Sequence, residues 1–504
     1  MLSWIYEQLL LRECLVSLSH LVFERLQRGL ARHSSIVRLL TIAAVCLVAG
    51  ILTGAVIGSL GGILGSVVLM ALAAGYLMLR SVFAGLLVLV GIICLLPFAA
   101  LPIDIGFSPT FLDLALLGIF FVWISRVVTK REQDFVAYSP TLPMMVFIAL
   151  ASVSFIAGLA HARLTANVLR HFAEIILSVL LFLVTINVVR SKKRLQIIVG
   201  ALILAGFLAA LAGVVLYLLP DSLTVRLLST LRVVRYPAGS DVLRYIEDNP
   251  DLPLRATSTS IDPNVLGGML IFAGTLTAAQ ALAKRPLLPR GWLILMLLTI
   301  VTCMVLTFSR GAFVGLGVAF ALLGVLRYRR MLWVGLLILG CFFLLPSAQV
   351  YTQHFAEGVQ GEDLATQMRF GEYKDALILI SRYPWFGVGF AGTPDIDTYL
   401  GVSSVYLLIA EEMGVVGLAA FLSVLVTFLG RFLRTFRLCS KDWELDPLLM
   451  GTCLSVCGAM VAGVVDHYLF NLDFPHASAL LWFMLGLGTV SIELVREKHE
   501  QVEC

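Results

Sequence analysis

Ten arginines, Arg163, Arg170, Arg226, Arg232, Arg235, Arg244, Arg255, Arg310, Arg369 and Arg382, fall in connecting segments that hold a single lysine, Lys374. A guanidinium offers a planar fork of donors that meets two oxygens of a phosphate at once, whereas an ammonium is a point charge. Such a bias is the composition of an anion-recognising surface rather than of an incidental solvated one. Arg310 is the sharpest case. In Leu306-Thr307-Phe308-Ser309-Arg310-Gly311 it stands where one apolar run ends and the next begins, and an ionisable group there is costly without a partner. Arg226, Arg232 and Arg244 equally suit snorkelling to lipid phosphates or pairing with Asp241, Glu247, Asp248 or Asp375. Groups able to move a proton lie further on, in Asp466-His467-Tyr468, in Pro475-His476 and at Glu411-Glu412. A carboxylate beside His467 can tune its imidazole; capping or packing is the other role open to it. Glu411 and Glu412, read as a helix start, also fit the complementing of a helix dipole.

These residues need a scaffold, and composition says what kind. The chain has 504 residues, 60% hydrophobic and only 13% charged, with mean hydropathy +0.97. A soluble domain carries about 25% charged residues, so this is an integral membrane protein. Apolar runs near 39–58, 61–79, 82–102, 110–127, 141–160, 171–189, 195–219, 264–283, 291–308, 311–326, 331–348, 405–430, 448–466 and 476–495 predict an all-α polytopic protein with about 14 transmembrane helices, or 12 to 14. With the N-terminus inside, every inner turn is basic: Arg80, Arg126 to Arg131, Arg190 to Arg194, Lys284 to Arg290, Arg327 to Arg330 and Arg431 to Lys441. Both termini are then cytoplasmic, and all ten arginines lie on the opposite face.

The expected organisation is a cytoplasmic or interfacial amphipathic segment at 1–38, a first bundle at 39–219, an outer loop at 220–263 and helices at 264–348. A large outer loop at 349–404, closing helices at 405–495 and a tail at 496–504 complete it. Residues 1–38 lack the cleavage pattern of a signal peptide. Nine cysteines lie in apolar runs or inner segments, which suits small buried side chains better than disulfides. No internal repeat is visible, so an inverted-repeat transporter has no support from the sequence.

Several segments resemble the superfamily of O-antigen ligases and O-antigen polymerases. Thr257 to Asn264, with Arg255 just before it, resembles that family's Asp-Pro-Asn start of a membrane helix, here Asp262-Pro263-Asn264. Thr307-Phe308-Ser309-Arg310-Gly311-Ala312 is similar to its Ser-Arg-Gly motif. Arg369, Tyr373, Ala376, Leu377 and Tyr383-Pro384-Trp385-Phe386-Gly387-Val388-Gly389 look like its "Arg … Pro-x-x-Gly-x-Gly" stretch. Tyr406 to Leu418 resembles the helix that follows the large loop.

The resemblance implies transfer of a glycan from an undecaprenyl-diphosphate carrier to an acceptor glycan or glycolipid. Arg310, Arg369, Arg255 and Arg382 would bind the diphosphate, and Arg310, Arg369, His467 and Glu412 are the catalytic candidates. The chemistry asks only that the diphosphate be held, its growing charge offset and the acceptor hydroxyl positioned. Guanidiniums can do this without a metal. No Walker-type sequence is present, and neither cofactor nor nucleic acid is expected. The implied location is a bacterial inner membrane, with the active face periplasmic or extracellular. One departure matters: Ser403-Ser404 stand where ligase members commonly have a His-Asn pair, and a serine is no base near neutral pH. That shifts weight towards a polymerase or a divergent member. The alternative is a transporter for an anion or a lipid-linked glycan, since some relatives carry a bicarbonate-transporter label. Such a protein needs ionisable groups at mid-membrane, and here the mid-span segments are nearly free of charge. A scaffold without chemistry of its own is a third reading.

Overall fold

The computed structural model describes residues 61–104, 106–129, 135–329, 364–393 and 401–503, with isolated residues in 47–58 and 332–335. The amphipathic segment at 1–38 and the spans expected near 39–58 and 331–348 lie essentially outside the described residues. The described chain is mostly helical: α1 (Gly62–Arg80), α2 (Val82–Leu95), α3 (Phe111–Val128), α4 (Thr141–Gly158), α5 (Ala166–Val188), α6 (Lys192–Leu218), α7 (Asp221–Ser229), α8 (Pro263–Leu282), α9 (Arg290–Leu306), α10 (Arg310–Leu326), α11 (Leu364–Arg382), α12 (Val405–Thr435), α13 (Leu445–Ala462) and α14 (Pro475–Glu503). Among the described residues, eight helices (α3 to α6, α8, α12, α13 and α14) are long and apolar enough to cross a membrane, and α1, α2, α9 and α10 are shorter apolar helices. The architecture is that of a polytopic all-α membrane protein.

The chain divides into two compact units. In the smaller, α1 and the early part of α2 meet the latter part of α3, whose Ile119 lies against Gly85. The larger unit runs from Leu89 to Leu117 and from Phe135 onward. Its centre is α8, α13 and α14, buried over 89%, 83% and 94% of their apolar windows, while α4, at 39%, keeps a broad face outward. Small residues bring the central helices together. Gly315 of α10 and Gly458 of α13 meet backbone to backbone, so that a Cβ on either would stand 2.6 or 2.5 Å from the other's carbonyl oxygen.

Segment 220–263, expected as an outer loop, is a compact cap. It contains α7, short 3₁₀ turns and a two-stranded antiparallel ribbon, β1 (Arg244–Tyr245) with β2 (Leu254–Arg255). Segment 349–404 is likewise not all loop, because α11 occupies 19 of its residues. No long apolar run marks α11; its faces are mixed because it lies against the bundle on one side only.

α12 is broken at Gly414, whose φ 71° and ψ −179° only glycine adopts readily. The break frees the carbonyls of Glu411 and Glu412, which accept from Val388 N and Gly389 N at 2.9 Å each, while Val415 N donates to Pro384 O at 2.8 Å. The Pro-x-x-Gly-x-Gly stretch is thus a backbone splint along an opened helix. A Cβ at Gly387 would lie 2.4 Å from the Glu412 carbonyl. At the basic ends of the helices, Arg327 pairs with Asp446 at 2.8 Å, Arg431 with Glu493 at 2.6 Å, and Lys192 with Glu444.

Candidate functional site

Three of the arginines come together. Arg255 ends the ribbon. Its Nε donates to Thr307 O and a terminal nitrogen donates to Asn264 Oδ1, both at 2.8 Å. Arg310 is the first residue of α10 and donates to Thr366 Oγ1 of α11 at 3.4 Å. Arg369, one turn along α11 from Thr366, pairs with Asp466 Oδ1 at 3.2 Å. The three guanidiniums and the carboxylates of Asp262 and Asp466 act on one another electrostatically, leaving one positive charge in excess when both acids are ionised. Arg255, Arg310 and Arg369 are each half-buried, a position from which a side chain is held by the protein yet meets a ligand.

Local sequence explains the convergence. Asp262 caps α8 by accepting from Asn264 N and Val265 N, and Pro263 takes the first helical position, where no N–H is needed. Three of the six non-glycine residues with positive φ among the described ones, Ser258, Ile261 and Phe308, flank the Asp-Pro-Asn and Ser-Arg-Gly motifs. A β-branched residue such as Ile261 at φ 60° is strained backbone of the kind concentrated at functional sites. Gly311 has a direct reason to be glycine. A Cβ there would fall 2.3 Å from Asp466 Oδ2, so the third motif residue makes room for the carboxylate that holds Arg369.

Asp466 is 4% exposed, and its Oδ2 has no hydrogen-bond partner among the described residues. Burial pushes its carboxyl up to about 6, against the pull of Arg369. His467 is half-buried next to it. Burial lowers the imidazole from its ordinary value, opposed most by the Glu372 carboxylate. Burial also lowers Arg255, with Asp262 and Asp466 opposing and Arg369 and Arg310 adding to it. The hairpin loop between α13 and α14 therefore brings an acid and an imidazole to the arginines contributed by β2, α10 and α11.

Other candidates lie elsewhere. Arg382 is 13 residues beyond Arg369 on α11, about 20 Å along the helix axis, and is exposed. Glu411 and Glu412 are not at the start of α12 but on its second turn, before the break. Both are buried, and each has one carboxylate oxygen without a hydrogen-bond partner among the described residues. Ser403 is held through its backbone, with its N–H donating to Glu372 Oε2 at 3.0 Å and its carbonyl accepting from the Tyr373 hydroxyl at 3.2 Å. His476 is 3% exposed, against the Phe98 ring at 4.8 Å and beside a small cavity of about 10 Å³ lined in part by Ser260 and Tyr468. Arg170 belongs to a separate network with Asp113 at 3.0 Å and Glu174 at 3.3 Å. Arg244 lies 3.9 Å from Asp248, one of the acids named for it.

Sequence reasoning missed Thr366 and Glu372. Their signal was spacing: Thr366, Arg369, Glu372, Tyr373, Ala376 and Leu379 recur at three and four residues on one face of α11, and Ala376 and Leu379 are fully buried.

Comparison with protein families gives an independent view. Residues 294–422 match the family model described as O-antigen ligase. Over this segment the chain is similar to the O-antigen ligases, in keeping with the resemblance to the O-antigen ligase and polymerase superfamily. The match runs from within α9 to the middle of α12, so it includes Arg310, Arg369 and the splinted helix break. Arg255, Asp466 and His467 lie outside it and join the site only through the tertiary fold. No curated protein matches the chain. The superfamily supports glycan transfer of the O-antigen ligase or polymerase type, on lipid-linked glycan and acceptor substrates in general.

Proposed function

We propose that the protein transfers a glycan from an undecaprenyl-diphosphate carrier to an acceptor glycan or glycolipid, as a polymerase- or ligase-like enzyme of a bacterial inner membrane. The active face would be periplasmic or extracellular. The observation that carries this reading is the meeting of Arg255, Arg310 and Arg369 around Asp466. A diphosphate joined to lipid and sugar gains one negative charge as its bond to the anomeric carbon breaks. Fixed guanidiniums stabilise that charge without having to reorganise at the moment of reaction, so the transfer is metal-independent. In the resting protein Asp466 keeps Arg369 in place; an arriving diphosphate takes over that partner. His467 is the general base, because an imidazole kept neutral by burial can accept the acceptor hydroxyl's proton near pH 7. The charged groups stand at one end of the spans rather than midway along them, which favours transfer over transport.

The test is transfer by purified protein in liposomes, using a radiolabelled undecaprenyl-diphosphate oligosaccharide from its own host. Arg310→Ala and Arg369→Ala are each expected to lower transfer and release of lipid diphosphate by about 100-fold or more. Wild-type protein that carries the label across the bilayer without releasing lipid diphosphate would refute the assignment.

A further inference from the structure

We infer that Asn264 is a positioning residue for Arg255, holding it by an uncharged oxygen so that its full charge stays available to the diphosphate. The inference rests on the glycan-transfer reading and names how one guanidinium of the proposed clamp is kept ready.

Arg369 and Arg255 are held in different ways. Arg369 is in an ion pair with Asp466, whereas Arg255 donates to two uncharged oxygens, Thr307 O and Asn264 Oδ1, at 2.8 Å each. A guanidinium carries donors only, so the amide oxygen of Asn264, and not its nitrogen, must face it. The two bonds come from Nε and Nη2, which form one edge of the guanidinium. The fork of Nη1 and Nη2 at its end is left to meet two oxygens of a phosphate. Both anchors are themselves fixed. Asn264 follows Pro263 at the start of α8, and its N–H donates to Asp262 Oδ1 at 2.7 Å, so its side chain leaves a rigid helix end. The Thr307 hydroxyl donates to Met304 O at 2.7 Å and accepts from Ser309 N at 3.2 Å. Ala256 N donates to Leu306 O at 2.8 Å, which ties the end of β2 to the same turn. Asp262, two residues before Asn264, uses Oδ1 to cap α8 by accepting from Asn264 N and Val265 N.

The identity of the anchor decides what the guanidinium can do. An ion-paired arginine exchanges one anion for another when a phosphate arrives, so part of the attraction is lost in the exchange. An arginine held by a carbonyl and an amide keeps both bonds while the phosphate takes its outer fork. Its charge is then undiminished when negative charge grows on the diphosphate during transfer. The competing role for Asn264 is that of a staple, joining β2 to the start of α8. A carboxylate would serve a staple as well or better, because it accepts more strongly and suits the first turn of a helix. The two roles therefore separate at a single atom, the amide nitrogen of residue 264.

Asn264→Asp tests this, because it keeps the acceptor oxygen and the side-chain shape while setting a negative charge beside Arg255. The readout is KM and kcat for the radiolabelled undecaprenyl-diphosphate oligosaccharide in liposomes, with thermal unfolding measured alongside. The expected result is a folded protein whose KM is raised by about tenfold. Asn264→Ala, which removes the anchor, should lower kcat/KM by about tenfold. Since Asn264 acts through Arg255, neither change should cost more than about twofold further in an Arg255→Ala background. A change that merely weakens the fold would cost as much in that background as in wild type. Asn264→Asp with the wild-type KM, or losses that persist undiminished in the Arg255→Ala background, would overturn the inference while leaving the transfer reading intact. Wild-type protein that releases no lipid diphosphate would overturn the transfer reading, and this inference with it.

Discussion

Replacing Asp466 by asparagine should make the protein more stable and less active, with both effects set by one buried carboxyl. Asp466 is 4% exposed and titrates at about 6 in place of the ordinary 3.8, because burial outweighs the attraction of Arg369, Arg255 and Arg310. A carboxyl moved that far costs about 3 kcal/mol to keep ionised in the folded chain. Its folded pKa is raised, so its contribution to stability is fully present below about pH 3.8 and is lost as the pH rises through about 6. Asparagine stays neutral at every pH and avoids that loss. Its amide oxygen still accepts from Arg369, but its Nδ2 takes the place of Oδ2, which has no partner among the described residues, so about 3 kcal/mol is an upper bound. The assay is thermal unfolding of detergent-purified wild-type and Asp466→Asn proteins from pH 4 to 8. The two should coincide near pH 4 and separate through pH 6, with the variant melting higher at pH 8. Transfer by the variant should fall by about tenfold or more, because the anchor of Arg369 loses its charge. A variant less stable than wild type at pH 8, or a gap equal at pH 4 and pH 8, would refute this account of the buried charge.

Gly311→Ala gains helix propensity of about 1 kcal/mol, yet its methyl would stand 2.3 Å from Asp466 Oδ2; transfer should be lost while the folded yield changes little, as measured by activity and size-exclusion profile. Gly414→Ala forces a Cβ to 2.2 Å from Trp385 O at a backbone conformation reserved for glycine, and should destabilise by more than about 2 kcal/mol, read as a lowered melting temperature. Arg255→Lys keeps the charge but loses the fork that reaches Thr307 O and Asn264 together; transfer should drop by about tenfold, and full activity would argue that charge alone suffices. Arg382→Ala, at the exposed end of α11, should leave transfer within about twofold.

How much of this was legible in the sequence follows from which signals are local. Membrane class, helix positions and the Ser-Arg-Gly and Asp-Pro-Asn boundaries depend on runs of about 20 apolar residues and on caps within a few positions. They could be read directly: the run expected at 264–283 is α8 at Pro263–Leu282, and that at 311–326 is α10 at Arg310–Leu326. The preference for arginine over lysine singled out Arg255, Arg310 and Arg369 before their convergence was known. Helix α11 was hidden in a supposed loop, because a helix lying on a bundle needs only a narrow apolar stripe and carries no long hydrophobic run.

Pairing was decided only by the tertiary structure. Nothing local distinguishes Arg369, which meets an aspartate 97 residues away, from Arg382 on the same helix. Asp466 stood out in the sequence only as the neighbour of His467; its hold on Arg369, and the need for Gly311 to lack a side chain, come from helices that meet in space. The break at Gly414 is equally non-local, since it is held open by an irregular glycine-containing turn some 26 residues earlier that takes up the freed carbonyls. Sequence determines which residues can carry charge, span a bilayer or end a helix, because those properties belong to a residue and its neighbours. Which charges share a pocket is a matter of long-range packing, and only the folded chain decides it.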